Sequence, residues 1–269
     1  MISIIVPTYN ERKNIEKLIP TLSRALEGYE HEVIVVDDNS PDGTALAAEE
    51  LSRSYPVNVL KRDGKHGLAS AVVLGFKHAK GNILGVIDAD MQHPPEYLQE
   101  FALHVSNGSD IAVGSRYVKG GKLDGWSGFR SLVSWGAVMI SKPLTGVKDP
   151  MSGYFMLKRK VIEDVSFNPM GYKIFLEILV KGNYSKVKEI PYTFRNREVG
   201  ESKLKMDEYI NYLRLLYHLY GFKLRNILES KGNEASRSEA AVVSHESIDA
   251  EVALTMPYPS RSRAAKCND

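Results

Sequence analysis

The stretch Ile83-Leu84-Gly85-Val86-Ile87-Asp88-Ala89-Asp90-Met91-Gln92-His93-Pro94 decides how this chain is read. An uncharged apolar run ends abruptly in two carboxylates, which predicts a buried strand over Ile83–Asp88 with its polar groups just past the end. Before it, Leu68–Ala79 has helical character and closes at Lys80-Gly81 in the manner of a helix C-terminus. Further upstream the same alternation recurs. Strands are expected at Ile2–Pro7, Glu32–Asp37 and Val57–Leu60, with helices at Glu11–Glu27 and Thr44–Ser54. Val33-Ile34-Val35-Val36 is apolar on both faces, as in a parallel sheet covered on both sides. Downstream follow a helix at Pro95–Asn107 and a strand at Ile111–Ser115. The β-α-β-α-β-α-β order predicts an α/β fold, a Rossmann-like open and mostly parallel sheet flanked by helices.

After Gly120 the pattern loosens. Residues 127–142 and about 169–181 read as helices, Ser152–Leu157 and Ser185–Thr193 as strands, and about 205–228 as a final amphipathic helix. We expect one folded domain over 1–228. The tail 229–269 holds one aromatic residue and many Ser, Ala and Glu, and is expected to be disordered.

Composition narrows the function. The 269 residues are 43% hydrophobic and 25% charged, with a net charge of +2, ordinary values for a globular protein. Balanced charge and the lack of a recognised module argue against nucleic-acid binding. The single cysteine, Cys267, excludes an internal disulfide framework and a cysteine zinc site. The N-terminus lacks the basic start of a signal peptide, and no apolar window is long enough for a transmembrane helix. The segments 132–146 and 209–228 come nearest; they read as packed helices or as helices lying in a membrane interface. No Gly-x-Gly-x-x-Gly turn follows the first strand, against a dinucleotide-dependent oxidoreductase.

In an open parallel sheet, ligands bind beyond the carboxyl ends of the strands. Those ends are Pro7-Thr8-Tyr9-Asn10-Glu11, Asp37-Asp38-Asn39-Ser40-Pro41-Asp42-Gly43, Asp88-Ala89-Asp90-Met91-Gln92 and Gly114-Ser115-Arg116-Tyr117. Four adjacent strand ends are thus expected to share one polar rim. Asp88 and Asp90, joined by the Gln92 amide, suit Mg²⁺ or Mn²⁺ held jointly with substrate phosphates. His93 is expected to serve the loop or its packing. Asp37 and Asp38 also read as turn formers before Pro41-Asp42-Gly43.

Together these motifs resemble inverting glycosyltransferases of the GT-A fold. With Lys148-Asp149-Pro150-Met151-Ser152-Gly153-Tyr154 and Gly200-Glu201-Ser202-Lys203-Leu204, they resemble more narrowly the dolichol-phosphate mannosyltransferase family and related polyprenyl-phosphate glycosyltransferases, over about residues 1–220. The resemblance implies a nucleotide-sugar site of Pro7, Tyr9, Glu11, Val36, Asp38, Asp88, Ala89, Asp90, Gln92, Arg197 and Lys203. It implies metal ligands Asp88, Asp90 and Gln92, and an acceptor-phosphate site of Arg116, Arg130 and Ser134. Asp88, Asp90, Arg116 and Arg130 would carry the catalysis. The implied partners are GDP-mannose, a dolichyl or polyprenyl phosphate, an anionic membrane surface and a membrane-anchor partner. The implied place is the cytoplasmic face of a membrane, peripherally. UDP-glucose as donor, and a non-catalytic binding protein, are the alternatives. The loop Arg195–Leu204 is expected to close over bound substrates.

Charge is segregated to match. Residues 116–160 carry nine Lys and Arg against Asp124 and Asp149, a local charge of +7. A carboxylate rim for a metal-bound donor would face a basic segment for a lipid phosphate at an anionic surface.

Overall fold

The structure, a computed structural model, describes residues 1–124, 128–195 and 208–229, with residues 129–131 in backbone only. It divides into two units, Met1–Tyr220 and Gly221–Asp269. In the second, the described residues 221–229 are helical; the expected disordered tail lies otherwise outside the described residues.

The first unit runs β1 (Ile2–Thr8), α1 (Arg12–Ala25), β2 (His31–Asp37), α2 (Thr44–Leu51), β3 (Val57–Lys61), α3 (Leu68–His78) and β4 (Ile83–Val86). A 3₁₀ turn at Pro95–Tyr97 then leads into α4 (Leu98–Ser106), followed by β5 (Ile111–Ser115), β6 (Lys122–Leu123) and α5 (Gly128–Ser141). The chain continues through β7 (Phe155–Lys158), α6 (Ile174–Lys181), β8 (Val187–Pro191) and β9 (Thr193–Phe194). Residues 208–220 form α7.

The main sheet has the order β3-β2-β1-β4-β7-β5-β8. The β3-β2-β1-β4 half is parallel, as the apolar runs predict. β7 is antiparallel to both β4 and β5, and β5 pairs parallel with β8. This corrects one expectation: the ends of β4 and β5 share a rim but are not neighbours, because β7 enters between them. Reversed direction gives that strand no sequence signature of its own, since a two-faced buried strand reads alike either way. β6 and β9 form a separate parallel pair.

Helices cover both faces. On one, α1 buries Ile15, Leu18, Ile19 and Leu22, at helical spacing, together with Phe101 and Val105 of α4 against Ile4, Val6, Val33 and Val35. On the other, Val72 and Phe76 of α3 and Phe175 and Ile178 of α6 cover Ile5, Ile34, Val36 and Val86. A third cluster joins Val138 of α5, Leu176 of α6 and Leu215, Leu216 and Leu219 of α7. The sixth helix starts at Ile174 rather than near 169. Gly171 just before it takes a positive φ of 61°, and its carbonyl accepts the Ala69 N–H, so this stretch is a loop tied to α3.

Candidate active site

Three neighbouring strand ends carry backbone in the left-handed region at residues other than glycine: Asn10 (φ 59°), Asn39 (φ 56°) and Met91 (φ 61°). Asn tolerates this conformation, whereas Met does not, and such strain concentrates at functional sites. At Met91 the turn lets the Gln92 N–H bond Asp90 Oδ1 at 3.1 Å.

At the β1 and β2 ends the carboxylates organise the backbone. Asp37, fully buried, accepts Thr8 Oγ1 (2.9 Å), Ser40 Oγ (2.5 Å) and Ser40 N–H (2.8 Å). Asp42 accepts the N–H groups of Arg12 and Thr44 and the Thr44 hydroxyl. Burial opposes its ionisation, but these bonds outweigh burial and lower its pKa. Asp38 is buried too. One oxygen accepts His66 N–H (3.1 Å) and Gly67 N–H (2.9 Å), and the other pairs with the buried Arg62 guanidinium. The base-contacting carboxylate expected at Asp38 is therefore engaged with the loop 62–67. That loop carries Lys65, whose Nζ lies 4.2 Å from the centroid of the Tyr9 ring. Glu11 accepts Asn14 Nδ2 at 2.5 Å, and Pro7 is buried opposite Val36. Val36 and Ala89 have their side chains in the core, so their expected nucleotide contacts fall to backbone atoms.

At the β4 end, Asp88 Oδ2 lies 3.4 Å from His93 Nε2, while Oδ1 is buried without a hydrogen-bond partner. Asp90 is 6% exposed. Gln92 donates its side-chain amide N–H to Arg195 O (3.1 Å), and its Oε1 is the atom that could ligate a metal. The oxygen donors Asp88, Asp90 and Gln92 fit a hard divalent cation, and the orphaned Asp88 oxygen is what such an ion would satisfy. Among the described residues no three His, Cys, Asp or Glu side chains gather to hold a metal.

β7 brings a second set of groups to the rim. Asp149, fully buried, takes the Arg116 guanidinium through both oxygens (Nε to Oδ2 and Nη2 to Oδ1, each 2.8 Å) and the Arg116 N–H (2.9 Å). Burial works against the charged guanidinium, and Asp149 outweighs it, raising the Arg116 pKa. The phosphate-side role expected of Arg116 would use its fork; in the structure the fork is paired with Asp149, the fixed counter-ion that a buried guanidinium needs. Glu189 in turn holds the N–H groups of Lys148 and Asp149 (3.0 and 3.2 Å). Gly153 lies against Asp88, where an added Cβ would come within 3.0 Å of Oδ2. Ser134 of α5 shares a 2.9 Å hydrogen bond with Tyr117 Oη. Arg130 stands in α5, its side chain outside the described residues, as are Arg197, Lys203 and all of 196–207, including the loop expected to close.

His93 takes the packing role expected of it, with contacts no local motif announces, and Lys173 escaped the sequence reading. His93 is 3% exposed and packs among Tyr154, Tyr192 and Phe194, with Nδ1 3.0 Å from Tyr192 Oη. Its contact with Asp88 depends on Tyr192, which is far away in sequence, so no local motif announces it. Lys173, before α6, donates to Met151 O at 3.3 Å; one lysine in a loop carries no signal at all.

Glycosyl transferase family 2 matches residues 3–166. A dolichol-phosphate mannosyltransferase of Pyrococcus furiosus is 51% identical over 222 residues, covering 81% of this chain and 63% of that one. The chain thus spans less than two thirds of that relative's length. A dolichol-phosphate mannosyltransferase of Mycosarcoma maydis is 37% identical, over 84% of this chain and 81% of its own. In fold, the chain is similar to glucosyl-3-phosphoglycerate synthase of Mycobacterium tuberculosis, solved with Mn²⁺, UDP-glucose and glycerol 3-phosphate. The TM-score is 0.62 at 19% identity, over 83% of this chain and 79% of that one. The expected GT-A architecture is present, and the chain belongs to glycosyl transferase family 2, within the family of the dolichol-phosphate mannosyltransferases.

Proposed function

We propose that this chain transfers mannose from GDP-mannose to a dolichyl or polyprenyl phosphate, inverting the anomeric centre, at the cytoplasmic face of a membrane. The observation that carries the reading is the 51% identity with a dolichol-phosphate mannosyltransferase over most of the chain. Asp88, Asp90 and Gln92 would hold Mg²⁺ or Mn²⁺ with the donor diphosphate. When bound, that ion supplies charge stabilisation for the departing nucleotide.

The chain's own residues do the rest. Pro7, Tyr9, Glu11, the backbone at Val36 and Ala89, and the loop fastened by Asp38 line the nucleotide pocket. Arg197 and Lys203, which follow β9 in the sequence, bind the donor. Arg130 and Ser134 orient the acceptor phosphate, and Arg116 contributes from its seat on Asp149. A phosphate monoester is already anionic at neutral pH, so no side chain is needed as general base. Position and electrostatics then carry the transfer.

A membrane surface is supported by exposed apolar side chains on α5 (Leu132, Trp135, Met139, Ile140) and α7 (Tyr209, Ile210, Leu213, Tyr217). The two helices are fastened by hydrogen bonds from Tyr212 Oη to Ala137 O and from Tyr220 Oη to Ile140 O, both 2.6 Å. Among the described residues no helix is long and apolar enough to cross a membrane; a membrane-anchor partner is part of the reading proposed here.

The test is a donor-by-acceptor activity matrix, GDP-mannose and UDP-glucose against polyprenyl phosphates, with Mg²⁺, Mn²⁺ or chelator. Mannosyl transfer that stops with chelator and in a folded Asp90→Ala variant is expected. Transfer only from UDP-glucose, or turnover unchanged in Asp90→Ala, would overturn the reading.

A further inference from the structure

Lys173 is a cation the mechanism above does not use. It sits half-buried in the loop before α6, with Nζ 3.3 Å from Met151 O and 4.1 Å from the centroid of the Tyr172 ring. An ammonium has three N–H donors. Among the described residues, Met151 O is the one hydrogen-bond acceptor it reaches, and no carboxylate lies within ion-pairing distance. Yet Met151 stands between Asp149, which holds Arg116, and Gly153, which packs on Asp88. The lysine is therefore fixed at the loop that joins the two halves of the rim, within electrostatic reach of Arg116, Asp149 and Asp88.

We propose that Lys173 is a substrate-binding residue whose Nζ donates to a phosphoryl oxygen of the substrates gathered at this rim. The inference rests on the mannosyl transfer from a nucleotide sugar to a lipid phosphate proposed above. A half-buried ammonium with one neutral partner is poorly compensated, and an anion restores the balance. Asp149 is not that anion, since both its oxygens are taken by Arg116. A sugar hydroxyl carries no charge, and a metal ion would be repelled. Burial first, and then Arg116, push the Lys173 pKa down to about 7, against the pull of Asp149, Asp88 and Glu208, as expected of a cation awaiting a counter-charge.

The phosphoryl oxygen belongs either to the donor diphosphate or to the acceptor phosphate, and two binding arms separate them. GDP and a short-chain polyprenyl phosphate are titrated separately into wild type, Lys173→Met and Lys173→Arg, with mannosyl transfer measured alongside. Loss of one charge-assisted hydrogen bond should weaken the ligand that Lys173 holds by about 10- to 100-fold in Lys173→Met, with most of it recovered in Lys173→Arg. Weakening of GDP alone assigns the donor, and weakening of the lipid phosphate alone assigns the acceptor. Wild-type affinity of Lys173→Met for both ligands overturns the proposal, as does equal weakening in Lys173→Arg and Lys173→Met. A wild-type chain that binds neither ligand overturns it together with the function proposed above. Wild type that binds them without transferring mannose sinks that function alone. If Lys173→Met does not fold, wild-type protein carrying ¹³C at lysine Cε is titrated instead. A Lys173 resonance unmoved by either ligand then overturns the assignment.

Discussion

Asp149→Ala is the sharpest probe of how the rim is built. The wild-type pair is almost dry, with side-chain exposures of 7% for Arg116 and 0% for Asp149. Asp149 receives three hydrogen bonds from Arg116, two from the guanidinium and one from the backbone. Truncating the carboxylate leaves a buried guanidinium without its counter-ion, a change that costs about 3–5 kcal/mol. With a urea m-value of about 3 kcal/mol/M for a chain of this size, the midpoint should fall by about 1–2 M with m unchanged. The double variant Arg116→Met/Asp149→Leu removes the stranded charge as well and should recover most of the loss, giving a large coupling energy in the cycle. The assay is equilibrium urea unfolding followed by circular dichroism. If Arg116 were open to solvent and waiting for a phosphate, Asp149→Ala would move the midpoint by less than about 0.3 M, the usual scale of an exposed pair. That outcome, or additivity in the cycle, would refute the reasoning.

Gly153→Ala should crowd the Asp88 carboxylate, since the new Cβ would come within 3.0 Å of Oδ2; the expected sign is a raised metal requirement in activity titrations with little loss of melting temperature. His93→Asn removes the nitrogen 3.4 Å from Asp88 Oδ2, and by analogy with other residues that orient metal ligands should weaken metal-dependent turnover by about 10- to 100-fold, read from metal titrations of initial rate. Arg62→Met leaves Asp38 without its cation and frees the loop carrying Lys65; GDP should bind more weakly by calorimetry while lipid-phosphate binding holds. Asp110 makes a pH prediction. Bonds from Ser185 N–H, opposed by burial and joined by Lys160, hold its pKa below the ordinary 3.8. A depressed carboxylate stabilises the fold fully above its unfolded pKa and loses that contribution as pH falls through the folded one. Asp110→Asn should therefore be less stable at neutral pH and show a flatter decline below about pH 4 in thermal-shift scans.

What could be read in the sequence follows from what acts locally. The parallel half of the sheet was legible because each strand there is an apolar run with a helix after it, and β1, β2 and α1 fall within two residues of the expected bounds. The acidic end of β4 was legible because polar groups that follow a buried strand must emerge at a rim. Partners far apart in sequence were not legible. Arg116 and Asp149 are 33 residues apart and His93 and Tyr192 are 99 apart. An arginine after a strand looks the same whether it meets a phosphate or a buried aspartate. Asp38 likewise reads as a free acceptor until the loop 62–67 folds back on it.

The reversed strand β7 explains how the segregated charge of the sequence becomes a site. Had β4 and β5 been direct neighbours, the 149–154 loop would have no reason to reach the rim. Because β7 runs opposite to both, its amino end lies beside their carboxyl ends. The loop before it then delivers Asp149 to Arg116 on one side and Gly153 to Asp88 on the other. Asp149 consumes one acid and one base of the rim as a buried neutral pair, and Lys158, Arg159 and Lys160 lie at the other end of β7, on Asp110 and the Ala79 and Gly81 carbonyls. The field that remains at the rim is set by Asp88 and Asp90 on the donor side and by the lysines of 119–148 beyond it. Two anionic substrates, one metal-bound and one free, can approach such a divided field without sharing a counter-charge. This requires that the two binding events respond differently to salt. Binding of a free lipid phosphate should weaken steeply with ionic strength, whereas a nucleotide held through a metal on the partly buried Asp88 and the buried Asp90 should weaken less. Equal salt dependence of the two would mean that the division of charge along the chain is not carried into the site.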